Sequence, residues 1–239
     1  MQFLEWSCES TADDLALDEA LLLDAEAAHE PREWLRLWES RDVAVVVGRS
    51  SRVAQEVRET ECQERGIRIL RRDSGGAAVV IGPGCLMYSL VLNYRLRPHL
   101  RAIDAAHRYV LATVADALAP WLTGAAMRGT SDLAVLNRKF SGNSMRCKRD
   151  CFLYHGTLLY DFPLALIEHC LATPPRQPAY RASRSHASFV TNVNRDGSTL
   201  RQALRSAWPD ARPCVDWPRQ RAAELAREKY SQSTWTYRF

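Results

Sequence analysis

Apolar residues recur at helical spacing in two long stretches of the chain. The first stretch follows Thr11 and Asp14, which resemble a capping box, and predicts a helix over 12–28. The second stretch, from Ile103 to Leu118, keeps a 3.6-residue stripe and predicts another helix. His107 lies on that stripe, so we expect it to be a packed, hydrogen-bonded core histidine rather than a catalytic one.

Short apolar runs between turn residues predict the strands. They cover residues 1–6, 34–38, 43–47, 67–70, 85–92, 133–136, 139–145, 152–160, 189–193 and 234–237. Further helices are predicted over 51–65, 163–171, 198–207 and 218–228, and a surface loop is predicted over 174–188, which lacks periodicity. Because strands and helices do not alternate regularly, this order favours an α+β fold with largely antiparallel sheets flanked by helices. A parallel, doubly wound sheet is the alternative.

The composition is that of an ordinary globular protein. The chain has 239 residues, 46% of them hydrophobic and 25% charged, and is long enough to bury a sizeable core. A net charge of +4 without a run of basic residues argues against a nucleic-acid partner. No apolar run reaches the ~20 residues that span a bilayer, so no membrane partner is expected. Seven scattered cysteines without an apolar leader segment predict reduced thiols in a cytoplasmic protein.

Two arginines and a run of small residues stand between two predicted strands. The segment reads Arg71-Arg72-Asp73-Ser74-Gly75-Gly76-Ala77-Ala78. Glycine lets backbone N–H groups approach an anion, and an arginine can hold a carboxylate or phosphate through two donors. A tight hairpin would explain the same residues equally well, so the segment alone leaves both interpretations open.

Three further motifs follow in one order within 31 residues. They read Gly129-Thr130-Ser131-Asp132-Leu133, Arg138-Lys139-Phe140-Ser141-Gly142-Asn143-Ser144 and Tyr154-His155-Gly156-Thr157-Leu158-Leu159. Together with the segment 71–76 they resemble the lipoate-protein ligases, in the biotin/lipoate ligase superfamily. The resemblance extends to residues 14–19, 37–38, 45–49 and 190–192, so it covers nearly the whole chain.

The resemblance implies an activation followed by a transfer. In that family the carboxylate of lipoate attacks the α-phosphate of ATP, which gives lipoyl-adenylate and pyrophosphate. The acyl group then passes to a lysine of a lipoyl carrier protein, either a lipoyl domain or a protein like the glycine-cleavage H protein. ATP, Mg²⁺ and lipoate are therefore expected as ligands. An apolar tunnel for the acyl chain is expected, with its mouth near Arg72 and Lys139 and with strand residues after Gly84 in its wall.

The resemblance also implies roles for individual residues. Lys139 matches the family's catalytic lysine, which contacts the acyl carbonyl and the adenylate phosphate. Asp132 matches the aspartate near the metal and nucleotide, where a carboxylate suits Mg²⁺. Arg72 and the backbone of Gly75 and Gly76 match the cradle for carboxylate and phosphate. The full set of expected substrate- and nucleotide-binding residues is Arg49, Arg71, Arg72, Ser74, Gly75, Gly76, Ala77, Ala78, Asp132, Lys139, Ser141, Gly142, His155, Gly156 and Thr157. Without the resemblance, Lys139 would be a solvated lysine on a strand and Asp132 a helix or turn cap.

The chain departs from the family pattern in three ways. The third glycine of Gly-Gly-Gly is Ala77, and the histidine that follows is Ile81. The motif His-His-Gly-Thr has become Tyr154-His155-Gly156-Thr157, in which His155 is expected to fix the turn through hydrogen bonds. The family's ligases commonly carry a C-terminal accessory domain. We expect residues 1–239 to form the catalytic domain with that domain absent, and a separate polypeptide that supplies it is a partner the resemblance allows.

A second enzyme class stays open on the sequence. Gly82-Pro83-Gly84-Cys85-Leu86-Met87-Tyr88 resembles the octanoyltransferases, which use a cysteine thioester and no ATP. Cys170 is the cysteine nearest the transferase position. It lies inside an apolar helical stretch and lacks the Pro-Cys-Gly setting of that family.

A non-catalytic protein that binds a lipoyl carrier is the third hypothesis. The loss of histidine at Ile81 and of the accessory domain would allow it, whereas the retention of Lys139, Asp132 and Arg72 argues against it. A zinc site is not expected, because Cys147, Cys151 and His155 lack a fourth ligand.

Overall fold

The chain folds into two β-sheets with helices around them, and the computed structural model describes residues 1–239. The strands are β1 (Gln2–Glu5), β2 (Trp34–Trp38), β3 (Ala44–Val47), β4 (Arg68–Arg71), β5 (Val79–Ile81), β6 (Cys85–Asn93), β7 (Ala126–Arg128), β8 (Asp132–Val135), β9 (Arg138–Cys147), β10 (Cys151–Leu159) and β11 (Arg212–Pro213). The α-helices are α1 (Thr11–Ala27), α2 (Val53–Glu56), α3 (Glu59–Glu64), α4 (Ile103–Leu118), α5 (Ala165–Cys170), α6 (His186–Phe189), α7 (Gly197–Ala207), α8 (Arg219–Leu225) and α9 (Ser233–Thr236). Two 3₁₀ turns, Pro98–Arg101 and Ala179–Arg181, and a π-helical turn, Ala226–Tyr230, complete the elements.

The larger sheet has eight strands in the order β11-β1-β2-β6-β10-β9-β8-β7. In this order, each pair of neighbouring strands from β2 onward is antiparallel. Strand β1 runs parallel to both of its neighbours, β11 and β2. The smaller sheet has the order β4-β3-β5, with β3 parallel to β4 and antiparallel to β5. The predicted α+β fold with largely antiparallel sheets is confirmed, and the doubly wound alternative is wrong.

The central strands of the larger sheet are buried on both faces. Along β6, Cys85 and Met87 belong to one apolar cluster of 37 residues, whereas Leu86 and Tyr88 belong to another of 25 residues. The first cluster joins the sheet to α1 and the smaller sheet, and the second joins it to α4 and α7. Because side chains alternate across a strand, the polar His155 of β10 faces the first cluster, between the two sheets.

The long periodic stretches are confirmed as helices, with one correction at a boundary. The N-cap of α1 is Ser10, one residue before the expected Thr11, and its hydroxyl accepts from the Asp13 N–H at 3.3 Å. The predicted role of His107 is also confirmed, since its Nδ1 lies 2.9 Å from the buried Tyr154 hydroxyl.

The single helix predicted over 51–65 is wrong, because the chain breaks between α2 and α3. Val57 becomes extended and forms an isolated antiparallel bridge with Leu171. The Arg58 N–H then donates to the Cys170 carbonyl at 2.8 Å. This contact with a segment more than one hundred residues away satisfies backbone groups that a continuous helix would have used internally.

Two predicted strands are also wrong, and three short strands were not predicted. Phe189 ends α6 and only Val190 bridges β9, so no strand covers 189–193. Residues 234–237 lie largely in α9 instead of a strand. The strands β5, β7 and β11 have only two or three residues, too few for an alternating pattern to stand out. None of the helices is both long enough and apolar enough to cross a membrane.

Candidate functional site

A cavity of about 430 Å³ opens between the two sheets. We call one side the sheet wall, formed by residues 72–78 and by β8, β9 and β10, and the other side the loop wall, formed by residues 174–190. The interior is apolar and is lined by Leu15, Val46, Val79, Val80, Ile81, Met87, Leu159, Ile167 and Leu171. Met87 comes from β6, after Gly84, where the acyl tunnel was expected to draw its lining.

Lys139 and Asp132 form the charged pair at this cavity. Lys139 Nζ lies 2.7 Å from Asp132 Oδ1, and 26% of the Lys139 side chain is exposed. Asp132 Oδ2 accepts from the Tyr180 hydroxyl of the loop wall at 2.8 Å. An ammonium has three N–H donors. Since Asp132 is its only ion-pair partner, two donors of Lys139 remain for a ligand.

The β8–β9 hairpin brings this pair together. Its turn, Leu136-Asn137, has φ of 47° and 62°, as a two-residue hairpin turn that follows the twist of the strands requires. A register shift between Leu133 and Ala134 then places Lys139 opposite Ala134 and Gly142 opposite Asp132. This register shift determines the Lys139–Asp132 pairing, and the sequence alone does not specify it.

Two glycines make room for the polar groups of the sheet wall. A Cβ at Gly142 would lie 2.8 Å from Lys139 Nζ, so a side chain here would displace the ammonium from its present position over the strand. A Cβ at Gly156 would lie 1.8 Å from Asn143 Oδ1 and 2.8 Å from Tyr88 Cζ. Gly142 makes room for a cation at the cavity, whereas Gly156 makes room for side chains packed within the sheet.

Arg72 shapes the backbone that leads into the small-residue segment. Its Nη1 donates to the Val46 carbonyl and its Nη2 to the Ala77 carbonyl, both at 3.0 Å, and Nη2 also donates to the Gly75 carbonyl. Burial lowers the pKa of Arg72 to about 10, which leaves it protonated at neutral pH. Arg72 therefore holds the curved loop around its own guanidinium.

A buried chain of hydrogen bonds runs beneath the sheet wall. Arg72 Nε donates to Ser74 Oγ at 3.0 Å, and Ser74 Oγ lies 2.6 Å from His155 Nε2. His155 Nδ1 lies 3.3 Å from Asp18 Oδ2, and Asp18 Oδ1 accepts from Arg36 at 2.7 Å. Because a carboxylate only accepts, His155 donates through Nδ1. His155 thus holds the turn at Ser74 through a hydrogen bond, and it also lines the cavity.

Asp18 and Arg36 are site-supporting residues that sequence reasoning did not single out. Burial would raise the pKa of Asp18, but the Arg36 charge and the hydrogen bond from His155 together outweigh it and lower that pKa. A signal was present in the spacing of Asp14 and Asp18 in α1, because two carboxylates four residues apart share a face of a helix. The partner, Arg36, lies on a fully buried strand.

Ten of the predicted binding residues line the cavity together. They are Arg72, Gly76, Ala77, Ala78, Asp132, Lys139, Gly142, His155, Gly156 and Thr157. Ser74, Gly75 and Ser141 do not line the cavity: Gly75 is exposed, whereas Ser74 and Ser141 are buried, and Ser74 contacts His155 of the lining.

Arg49 and Arg71 do not line the cavity. Arg71 is buried and donates to the carbonyl oxygens of Gly48 and Ser51 at 2.7 Å, and to that of Thr236 near the chain end. Its guanidinium ties the C-terminal segment to β4 and offers no free fork to a ligand. Arg49 Nε lies 3.9 Å from Asp73 Oδ1, outside the cavity.

The loop wall was predicted only as a surface loop. It contributes Pro174, Arg176, Gln177, Pro178, Arg181, His186, Phe189 and Val190 to the lining. The Thr191 N–H donates to the Lys139 carbonyl at 2.8 Å, so the end of this wall is joined to β9. The density of arginine in the segment was its one visible signal, since no periodicity marks it.

Asp132 was expected to bind Mg²⁺, and its surroundings allow a test of that expectation. Both of its oxygens are engaged, by Lys139 and by Tyr180. No group of three histidine, cysteine or acidic side chains converges anywhere in the chain. These residues therefore do not form a preformed metal cage.

No cysteine lines the cavity. Cys170 is fully buried in α5, where burial raises the pKa of its thiol. Cys85 is likewise fully buried in β6, and burial raises its pKa further. A thiol nucleophile needs thiolate character and access to the substrate, and neither cysteine has them.

Comparison with known proteins connects this geometry to a family. A probable lipoate-protein ligase A of Mycoplasma pneumoniae is 30% identical over 178 residues, which are 74% of this chain and 51% of that protein. This chain therefore spans about half the length of that curated relative.

Two solved structures share the fold. One is described as a bi-partite lipoate protein ligase and its E2 lipoyl domain from Thermoplasma acidophilum, with a TM-score of 0.83, 21% identity, and coverage of 99% of this chain and 95% of that one. The other is a lipoate-protein ligase A bound with ATP, with a TM-score of 0.82, 21% identity, and coverage of 99% and 98%. At this identity they establish the fold alone. The family model described as the lipoyl protein ligase A/B catalytic domain matches residues 10–202, and the chain belongs to that family.

Proposed function

We propose that this protein is a lipoate-protein ligase. It activates lipoate with ATP to lipoyl-adenylate and pyrophosphate, then transfers the lipoyl group to a lysine of a lipoyl carrier domain. The observation that carries the proposal is the position of Lys139, an ammonium with two free donors beside an apolar cavity. The family, the name of the M. pneumoniae relative and the ATP held by a protein of the same fold support it.

The activation step demands that two anions meet. A carboxylate oxygen of lipoate forms a bond to the α-phosphorus, and the bond from that phosphorus to the bridging oxygen of pyrophosphate breaks. Lys139 would contact the carboxylate and phosphate oxygens with its two free donors, which lowers their mutual repulsion. The apolar lining would bury the acyl chain at ~0.8 kcal/mol per CH₂ and keep water from the mixed anhydride.

The transfer step uses the same ammonium. The carrier's lysine attacks the acyl carbon as a neutral amine, the bond between that carbon and the phosphate oxygen breaks, AMP leaves, and the nitrogen gives up a proton to solvent. Negative charge grows on the carbonyl oxygen in the transition state, where Lys139 can donate to it. Asp132 and Tyr180 would hold Lys139 in place between the two steps.

The cysteine-dependent transferase receives little support from the geometry. Its thioester would require a thiol at the cavity, and none of the lining residues is a cysteine. A carrier-binding protein without activity is harder to reconcile with an apolar cavity that ends at a cation.

The seven free cysteines support a cytoplasmic location as part of the proposal.

The proposed partner is a lipoyl domain, and the T. acidophilum ligase of the same fold is described with one. That ligase is also described as bi-partite, which supports a second polypeptide as a partner in the activation step. We expect transfer from preformed lipoyl-adenylate to proceed with this chain alone. Activation from ATP is expected to be faster when such a polypeptide is added.

Mass spectrometry of a lipoyl domain tests the proposal. The full chain is incubated with lipoate, ATP and Mg²⁺, with synthetic lipoyl-adenylate, or with an octanoyl carrier protein without ATP. Lipoylation in the first or second mixture supports the ligase. Modification in the third mixture alone would identify the transferase, and modification in none would leave the carrier-binding protein.

A further inference from the structure

The proposed transfer step needs a proton acceptor close to the acyl carbonyl. When an amine nitrogen bonds to the acyl carbon it becomes cationic, and it must lose a proton before a neutral amide can form. A side chain that is placed to take this proton accelerates such a step. Among the residues that line the cavity, only Asp132, His155 and His186 carry a carboxylate or an imidazole, the groups that accept a proton near neutral pH.

Two of these three residues are already engaged within the sheet wall. Both oxygens of Asp132 accept hydrogen bonds, one of them from Lys139 Nζ at 2.7 Å. Protonation of Asp132 would also break the ion pair that holds this ammonium in place. His155 donates to Asp18 through Nδ1, and its Nε2 lies 2.6 Å from Ser74 Oγ. Neither residue therefore keeps an unoccupied acceptor for the carrier's amine.

His186 of the loop wall keeps an acceptor nitrogen without a partner. The residue lines the cavity, and only 7% of its surface is exposed. Its Nε2 lies 3.2 Å from the Ala172 carbonyl oxygen. Because a carbonyl only accepts, Nε2 carries the proton of the neutral ring and Nδ1 is an acceptor. The chain has four fully buried side-chain polar atoms without a partner, and His186 Nδ1 is not one of them, so this nitrogen retains accessible surface.

Backbone hydrogen bonds join His186 to the strand that carries Lys139. The Val190 N–H donates to the His186 carbonyl at 3.0 Å, and the next residue, Thr191, donates to the Lys139 carbonyl at 2.8 Å. Arg138, another cation of β9 beside α6, is exposed and donates to the Val190 carbonyl at 2.7 Å. The imidazole and the ammonium are thus held on connected segments at the same cavity.

The surroundings of His186 keep its ring neutral. Burial lowers the pKa of His186, and the positive charges of Arg181 and Lys139 act in the same direction. The hydrogen bond to the Ala172 carbonyl and the charge of Glu168 in α5 oppose this only in part. The ring is therefore unprotonated at pH 7, as a base must be before it accepts a proton.

We propose that His186 is the general base of the transfer step, and that its Nδ1 takes the proton from the carrier's lysine nitrogen as this nitrogen bonds to the acyl carbon. The bond between that carbon and the phosphate oxygen breaks, AMP leaves, and the imidazolium passes the proton to solvent. The acyl carbonyl oxygen accepts from Lys139 while the nitrogen attacks from the side of His186. This inference rests on the proposed ligase function. It concerns the second step alone, because ionised lipoate has no proton to lose during activation.

The experiment is single-turnover transfer from synthetic lipoyl-adenylate to a lipoyl domain. In His186→Gln the side-chain amide can still donate to the Ala172 carbonyl, but no nitrogen can take a proton. Transfer should fall about 10²-fold, the low end for a general base, because solvent can accept the proton instead. His169→Gln is the matched control, since His169 is exposed on α5 and does not line the cavity. It should transfer at the wild-type rate. Calorimetry should find the same affinity of both variants for a stable acyl sulfamate analogue of lipoyl-adenylate.

The dependence of the transfer rate on pH separates a base from a residue that only positions the substrate. The carrier's lysine must be neutral to attack, so the logarithm of the rate should rise with a slope of about one across neutral pH. Below the pKa of His186 the base must also be deprotonated, and the wild-type slope should approach about two. His186→Gln should keep a slope of about one from about pH 4.5 to about pH 9. The wild-type profile is a test that does not depend on the folding of any variant.

Several results would overturn the inference. Unchanged transfer by His186→Gln, or a wild-type slope of about one over the whole pH range, would show that His186 is not the base. A loss of transfer with an equal loss of affinity for the analogue would assign His186 to substrate binding, and the same loss in His169→Gln would show an effect that is not specific to the cavity. If the wild type transfers and His186→Gln matches it, the inference fails alone. If the wild type transfers nothing from lipoyl-adenylate, the proposed function fails together with the inference.

Discussion

The sheet wall and the loop wall of the cavity are built in opposite ways. In the sheet wall, polar side chains are bonded to the protein before a ligand arrives, as the chain from Arg72 through His155 to Asp18 shows. In the loop wall, Arg181 keeps a donor without a partner. Lys139 lies where the walls meet, with one partner and two free donors. The sheet wall therefore fixes geometry through its hydrogen bonds, whereas the loop wall leaves part of its hydrogen-bonding capacity unused.

Lys139→Ala tests the role of the cation that lies where the two walls meet, and it should have the largest effect. Single-turnover transfer from synthetic lipoyl-adenylate should fall about 10²- to 10³-fold, as for the loss of one oxyanion donor. The thermal midpoint should hardly move, because a partly exposed side chain over a cavity loses little packing. Lys139→Arg should not restore the rate, since a planar fork cannot replace a compact ammonium between two oxygens.

Lys148→Ala is the matched control for this lysine, because Lys148 lies outside the cavity. It should transfer at the wild-type rate. Near-normal transfer by Lys139→Ala, or loss of the fold in this variant, would show that Lys139 takes no part in the reaction. The place where the two walls meet would then not be the reaction centre.

Asp18→Asn tests whether the buried hydrogen bonds that run from Arg72 through His155 to Asp18 support the sheet wall. The substitution leaves the buried Arg36 short of one carboxylate, so we expect a loss of about 3 kcal/mol in the free energy of unfolding at neutral pH. Asp24→Asn on the same helix is the control. Its partner Arg32 is 42% exposed, and breaking such a pair costs less than ~1 kcal/mol.

The same variant should change the dependence of stability on pH. The folded pKa of Asp18 is depressed, because the Arg36 charge and the His155 hydrogen bond outweigh the opposing effect of burial. Its stabilisation is therefore present above the unfolded pKa of about 3.9 and is lost as pH falls through the folded pKa. Urea unfolding at a series of acidic pH values should show a shallower loss for Asp18→Asn. A curve parallel to that of the wild type would contradict the assignment.

The two walls also differ in how far the sequence predicts them. Lys139, Asp132 and His155 could be found because they lie in ordered motifs that resemble those of a known family; without the resemblance, Lys139 would have been taken for a solvated lysine and Asp132 for a cap. The register shift that pairs Lys139 with Asp132 could not, because it depends on how β8 meets β9. Arg181 lies in a segment without periodicity, and its burial follows from contacts with Phe189 and the Arg184 carbonyl that no local pattern encodes.

The chain end illustrates the same limit in the fold. Thr234 to Tyr237 alternates aromatic and β-branched residues, which favours a strand. The segment forms α9 instead, and its carbonyl oxygens at Trp235 and Thr236 accept from Arg71 of β4. Tertiary hydrogen bonds to a buried arginine therefore override local propensity.

Gly142→Ala separates the position of Lys139 from its charge. The new Cβ would lie 2.8 Å from Nζ and 2.9 Å from Cε, and the flexible side chain can yield. We expect a smaller effect than from Lys139→Ala, roughly 10-fold on single-turnover transfer, with little change in thermal stability. Gly156→Ala should behave in the opposite way, with a lower unfolding midpoint, because its Cβ meets the packed Asn143 and Tyr88. Equal stability losses in both variants would contradict the distinction between the two glycines.

Cys170→Ser should have the smallest effect, and it tests whether any chemistry lies outside the two walls. The thiol is buried in α5, away from the cavity lining, and the adenylate mechanism forms no thioester. Transfer should therefore stay within about 2-fold of wild type, the scatter expected of a substitution that touches no reacting group. Intact-mass measurement of the wild-type enzyme during turnover should find no covalent acyl adduct. If Cys170→Ser loses all transfer and the wild type carries an acyl group on that cysteine, the reaction is a thiol transfer, and α5 must move for Cys170 to reach the substrate.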